Sequence, residues 1–133
     1  MRPSPPDIPQ TYCYELPDGW TVLAGRTDQD NDLLSIRFAQ PQDWWFHVRG
    51  MPGSHVLLRA REPGAQPPPA VMKAAAAIAA WHSKARGGGM VAVSCTRARH
   101  VRKPWGAKPG TVAICREKVL KVRPALPGQT AAS

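Results

Sequence analysis

Acidic residues all but vanish from the last third of this 133-residue chain. From Arg97 to Ser133, nine lysines and arginines face Glu117 alone, whereas the first 66 residues hold eight acids against six bases. The net charge of +9 is thus carried toward one end. Positive charge gathered in one region suits a polyanion, and nucleic acid before membrane, because no amphipathic basic helix accompanies it. Other shortages narrow the field. "MRPSPPDIPQ" lacks the apolar h-region of a secretory signal. The longest apolar run, Ala74 to Trp81, is far too short to span a bilayer. Three cysteines form no CxxC pair, and an odd number cannot all pair within one chain. Cys95 and Cys115 fall inside apolar runs, as small buried residues of a reducing, cytoplasmic protein would. No GxSxG elbow is present, and Gly87-Gly88-Gly89 follows a helix pattern without a GK[ST] after it.

What is present reads as one α+β domain. The proline-rich ends, residues 1–11 and 125–133, are expected to be tails around a body spanning 12–124. "TYCYEL" and "WTVLAG" flank Pro17-Asp18-Gly19 and predict a hairpin. "DQDND" supplies capping residues before a short helix in "LLSIRFA", which ends before Pro41. Two strands, "DWWFHV" and "SHVLLR", then surround a Pro52-Gly53 turn. "PPPAVMKAAAAIAAWHSKAR" is the clearest helix, with Val71, Ala74, Ile78, Trp81 and Ala85 as its apolar stripe. Lys73, Ala77, Ala80 and Lys84 line its other side. Lys84 and Arg86 stand at its negative end, with Gly87 as the stop. Three further strands, Met90–Thr96, Thr111–Arg116 and Val119–Val122, complete the order β-β-α-β-β-α-β-β-β. That order predicts a largely antiparallel sheet packed by one long alanine-rich helix and one short helix.

Strand alternation in "DWWFHVRGMPGSHVLLR" puts Trp44, Phe46 and Val48 on a core face and Asp43, Trp45, His47 and Arg49 on the other. Trp45 then stands among polar groups, where its ring can stack on a base or be covered by a helix. His47 and His55 can meet across the strand pair with Asp43 near. Two histidines and one acid are too few for a zinc site, and no metal or cofactor is expected. A triad of Ser54, a histidine and Asp43 lacks its usual setting. A structural network is the expectation, with Asp43 fixing an imidazole and the imidazole tying down the Pro52-Gly53 turn.

The stretch "RARHVRKPWGAKPG" interleaves Arg97, Arg99, Arg102, Lys103 and Lys108 with His100 and Trp105. Cations neutralise phosphates and a tryptophan stacks on an unpaired base, which together suit RNA or single-stranded nucleic acid.

The order and spacing of "NDLL", "DWWFHVRGMPGSHVLLR", "AAAAIAAWHSKAR" and "VRKPWGAKPGTV" resemble the NFACT-R domain, the RNA-binding module of NFACT ribosome quality-control factors. The resemblance covers roughly residues 12–124 and implies binding of tRNA or rRNA, with ribosome association. It adds Lys84 and Arg86 of the Ser83–Arg86 segment to the expected RNA surface of Trp45, His47, His55 and the basic loop. A chain of this length looks like a stand-alone member, without the further domains of those factors. Two other classes stay open: an RNA-modifying enzyme or subunit using Asp43, His47 and His55, and a protein-binding adaptor for the ribosome.

Overall fold

The computed structural model describes residues 8–128, and the outermost parts of both expected tails lie outside them. Packing reaches past residues 12–124 at each end. The backbone N–H of Gln10 donates to Asp30 at 2.9 Å, that of Ala125 to the Ala77 carbonyl at 3.2 Å, and Leu126 packs against the core.

Strands β1 (Thr11–Leu16) and β2 (Trp20–Gly25) form the expected hairpin. Its turn needs positive φ at Asp18 (66°) and Gly19 (81°), which the Pro-Asp-Gly sequence tolerates. Helix α1 (Asp28–Asp32) starts five residues earlier than expected. "DQDND" is itself the helix, and Thr27 is the cap, accepting from the Asp30 N–H at 3.1 Å. A π-helical segment, Leu33–Phe38, continues it. There Leu34 and Ser35 are buried while Ile36 and Phe38 stay exposed, because the wider turn replaces the four-residue spacing that would have paired Leu34 with Phe38.

Strands β3 (Trp44–Val48), β4 (Val56–Arg59), β5 (Val91–Arg97) and β8 (Lys118–Val122) join β1 and β2 in one six-stranded antiparallel sheet, ordered β1-β2-β4-β3-β5-β8. Between β5 and β8 the chain makes an excursion that closes on itself through β6 (Val101–Arg102) and β7 (Ala113–Ile114). The basic loop is therefore the tip of a second, small ribbon. The strand expected over Thr111–Arg116 shrinks to these two residues. Cys115 lies beyond it and is exposed, as is Cys13, while Cys95 is buried.

Helix α2 (Pro69–Trp81) covers one face of the sheet. It buries Ala75, Ala76, Ile78, Ala79 and Ala80, leaving Val71, Ala74 and Trp81 only partly covered. The expected stripe was thus rotated. Alanines, not the larger residues, allow the helix to lie close on Val22, Phe46, Val48, Val56 and Val93. The helix stops at His82 (φ −89°, ψ 46°), five residues before Gly87. Arg86 returns to satisfy its end, donating from Nε to the Trp81 carbonyl at 2.7 Å.

The other sheet face holds a smaller core of Leu34, Trp45 and Leu57, covered by the π-helical segment and by Val101, Val112 and Ile114 of the ribbon. The basic ribbon is thus seated on the sheet by its own apolar residues.

Candidate nucleic-acid interface

The alternation of Trp44 and Trp45 between faces is as expected, but their exposure is reversed. Trp45 is only 2% exposed. Its Nε1 donates to Ser35 Oγ at 2.8 Å, so its ring is covered by the π-helical segment and has no face to offer a base. Trp44 is half-buried, with the Arg97 guanidinium 4.1 Å and the Lys118 ammonium 5.3 Å from its ring centre, and its buried indole nitrogen has no hydrogen-bond acceptor among the described residues.

His55 is buried and meets Trp45 edge-on, with ring centres 5.1 Å apart. Ser35 Oγ lies 2.7 Å from its Nδ1 and the Gly110 carbonyl 3.1 Å from its Nε2. A carbonyl only accepts, so Nε2 carries the proton. Nδ1 then accepts from the Ser35 hydroxyl, which in turn accepts from Trp45. This chain is satisfied only by a neutral imidazole. Burial, then the neighbouring His47, lowers the His55 pKa from 6.5 to about 4. His47 meets His55 edge-on at 5.4 Å. Its pKa is also lowered, by burial, against an opposing hydrogen bond with the Gly53 backbone. The two imidazoles, Ser35 and Trp45 thus form one contiguous network.

Asp43 takes no part in it. Its carboxylate accepts from Arg59 Nη2 at 2.6 Å and from the Gln40 N–H at 2.8 Å. Ser54 Oγ donates to the Gly25 carbonyl at 2.6 Å. Neither residue is placed for a triad. The acid that acts on His55 is Asp32, which the sequence marked only as part of an acidic cap.

Asp32 also holds the basic ribbon. It accepts from Lys103 Nζ at 3.0 Å and from the Gly110 N–H at 3.0 Å, while the same ammonium donates to the carbonyls of Lys108 and Thr111. Lys103 is thus the internal staple of the loop and not a free phosphate ligand. With Lys103 and Gly110 tied to Asp32, and Gly110 to His55, the ribbon presents Arg99, Arg102 and Lys108 as exposed cations. Trp105 stands fully exposed at its tip, with a relative exposure of 101%. His100 is half-covered, and its carbonyl accepts from the Cys115 N–H at 3.2 Å. Arg97 lies apart on Trp44, donating to the Gln42 carbonyl at 2.7 Å. Lys84 and Arg86 belong to a different cleft, beside Ser54. Tertiary structure therefore divides the expected surface into an exposed basic ribbon, an interior histidine network and a second basic cleft.

Fold and surface together define a small α+β module whose second sheet face carries a pinned, aromatic-tipped basic ribbon. The chain belongs to the NFACT protein RNA binding domain family, whose model matches residues 10–115. It is 40% identical over 119 residues to the Rqc2 homolog RqcH of Bacillus subtilis (strain 168), covering 90% of this chain and 20% of that protein. The Rqc2 homolog RqcH of Streptococcus suis (strain 05ZYH33) is 38% identical over 112 residues, covering 84% of this chain and 20% of the relative. The chain therefore spans about a fifth of the length of these relatives. In solved structures it resembles the C-terminal part of the fibronectin/fibrinogen-binding protein from Streptococcus suis. The TM-score is 0.80 at 31% identity, over 94% of this chain and 49% of that one. No helix among the described residues is long and apolar enough to cross a membrane.

Proposed function

We propose that this chain binds RNA through the β6–β7 ribbon, with Arg99, Arg102 and Lys108 on phosphates and Trp105 stacked on an unpaired base. The observation that carries this reading is the full exposure of Trp105 on a basic loop pinned by buried and charged contacts. A tryptophan left wholly in water costs hydrophobic free energy that a stacked base would recover, about 1–3 kcal/mol per base. The family supports RNA as the ligand, and the resemblance to NFACT ribosome quality-control factors implies tRNA or rRNA, met on the ribosome in the cytoplasm. An acid–base reading of Asp43, His47 and His55 gains nothing from Asp43, which is held by Arg59, or from His55, whose two nitrogens are both engaged.

The test is the salt dependence of affinity for tRNA and for an unpaired RNA oligonucleotide. Arg102→Ala with Lys108→Ala should weaken binding to both and lower the log–log salt slope by about 1 to 2. Trp105→Ala should weaken the oligonucleotide by about tenfold and leave the slope unchanged. Unaltered affinity in both variants would remove the ribbon from the interface, and binding to a ribosomal protein instead would favour an adaptor.

A further inference from the structure

The segments "PGSH" and "SKAR" lie far apart in the sequence, and the basic ribbon accounts for neither. The fold brings them together. Ser54 donates its N–H to the His82 carbonyl at 2.8 Å, Lys84 donates its N–H to the Pro52 carbonyl at 3.2 Å, and Gly53 bridges to Ser83. The approach is close enough to demand glycine: a Cβ at Gly53 would stand 2.8 Å from Ser83 Cβ and 3.0 Å from Val48 Cγ1. Ser54 also ties this turn to the end of β2 through Gly25. Three backbone segments are thereby fixed around an open cleft of about 370 Å³.

Its lining is polar and positive. Arg26, Lys84 and Arg86 surround it, and Asp28 is the one carboxylate among the described lining residues. The two ion pairs found among the described residues engage Arg59 and Lys103, so these three cations have no carboxylate partner. Two of them are held in place without one. The Arg26 guanidinium lies 4.5 Å from the Tyr12 ring centre; Tyr12 stacks on His82 at 4.5 Å; and His82 Nε2 is 2.6 Å from the Tyr14 hydroxyl. Arg86 lies 4.5 Å over Trp81 and is anchored to the Trp81 carbonyl by Nε. A guanidinium stacked by its face keeps N–H groups along its edge for an anion. Like charges gathered in one cleft repel one another at a cost that the single carboxylate of Asp28 offsets in part and an anionic occupant would offset further.

We propose that this cleft is a second phosphate-binding site, in which Arg26, Lys84 and Arg86 grip one phosphodiester of the RNA held by the ribbon. The proposal rests on the RNA-binding reading above. Helix α1 links the two surfaces: Asp28 lines the cleft, and its Oδ1 lies only 2.8 Å from where a Cβ on Gly110 of the ribbon would stand. A strand leaving the ribbon would meet the cleft next.

The experiment uses the full chain, labelled for NMR, with inorganic phosphate as the first probe and an RNA oligonucleotide as the second. Phosphate should shift the resonances of Arg26, Ser54, Lys84 and Arg86, and acetate at equal ionic strength should not. Arg26→Ala with Lys84→Ala, both exposed positions, should abolish those shifts. The same pair should weaken RNA about tenfold and lower the salt slope by about 1. Arg26→Lys, which keeps the charge but loses the fork, should recover part of the affinity. If the double variant binds RNA like the parent and phosphate moves no cleft resonance, the second site is refuted while the ribbon reading stands. Equal shifts from acetate would also overturn it, in favour of carboxylate binding. Phosphate shifts in a chain that binds no RNA would overturn the RNA occupant and the ribbon reading together.

Discussion

Nδ1 of His55 accepts from Ser35 and Nε2 donates to Gly110, an arrangement that only the neutral ring can keep. Protonation would turn Nδ1 into a donor and strip the Ser35 hydroxyl of its acceptor. The folded pKa, about 4, lies below the ordinary 6.5, so between these values the unfolded chain binds more protons than the native one. Stability is therefore whole above about pH 6.5 and is lost as pH falls toward 4, by about 3 kcal/mol in all for this residue. His47 and His82 are lowered too, both chiefly by burial, and add in the same direction. Denaturant midpoints at constant ionic strength should fall across this window. In His55→Gln the chain should be less stable at pH 7 but lose distinctly less on acidification. Equal pH slopes for parent and variant would show that another group drives the acid response.

At the scale of elements, the ribbon is an insertion between two sheet strands that owes its place to contacts outside itself. Its apolar seat is Val101, Val112 and Ile114, and its charged anchor is Asp32. Replacing Asp32 by Asn removes a negative charge, and electrostatics alone then favours tighter RNA binding. Loss of the hold on Lys103 and Gly110 favours the opposite, because a loosened ribbon must be ordered on binding. With Asp32 and Lys103 about a quarter exposed, the ion pair itself is worth only about 1 kcal/mol or less. The ordering cost is expected to win. Asp32→Asn should bind RNA several-fold more weakly, with faster amide exchange at Gly110 and a small change in stability. Tighter binding would mean that the ribbon needs no anchor.

The whole molecule carries a net charge of +9, and only two ion pairs occur among its described residues. Self-repulsion among the remaining cations lowers the stability of the compact state. Anions that bind the native surface should relieve it by more than general screening does. The thermal midpoint should rise by several degrees with inorganic phosphate or with tRNA, and by less with sodium chloride at the same ionic strength. Identical shifts for phosphate and chloride would point to screening alone.

Local pattern determined a good part of this architecture from the sequence. The Pro-Asp-Gly hairpin, the antiparallel α+β class, the long alanine helix and the opposite facing of Trp44 and Trp45 all follow from periods of two and 3.6 residues and from turn chemistry. The concentration of positive charge near one end was equally legible, because charge adds up without reference to fold. Exposure was not legible in this way, since it depends on what arrives from elsewhere. Trp45 is covered by Ser35, ten residues away, and His55 is engaged by Gly110, 55 residues away. The same distance in sequence hid the role of Lys103, which reads as one cation among five until Asp32, 71 residues earlier, folds against it. Which cations remain open to an anion was thus decided by tertiary structure, because each buried or paired group is set by a partner that no local period can specify.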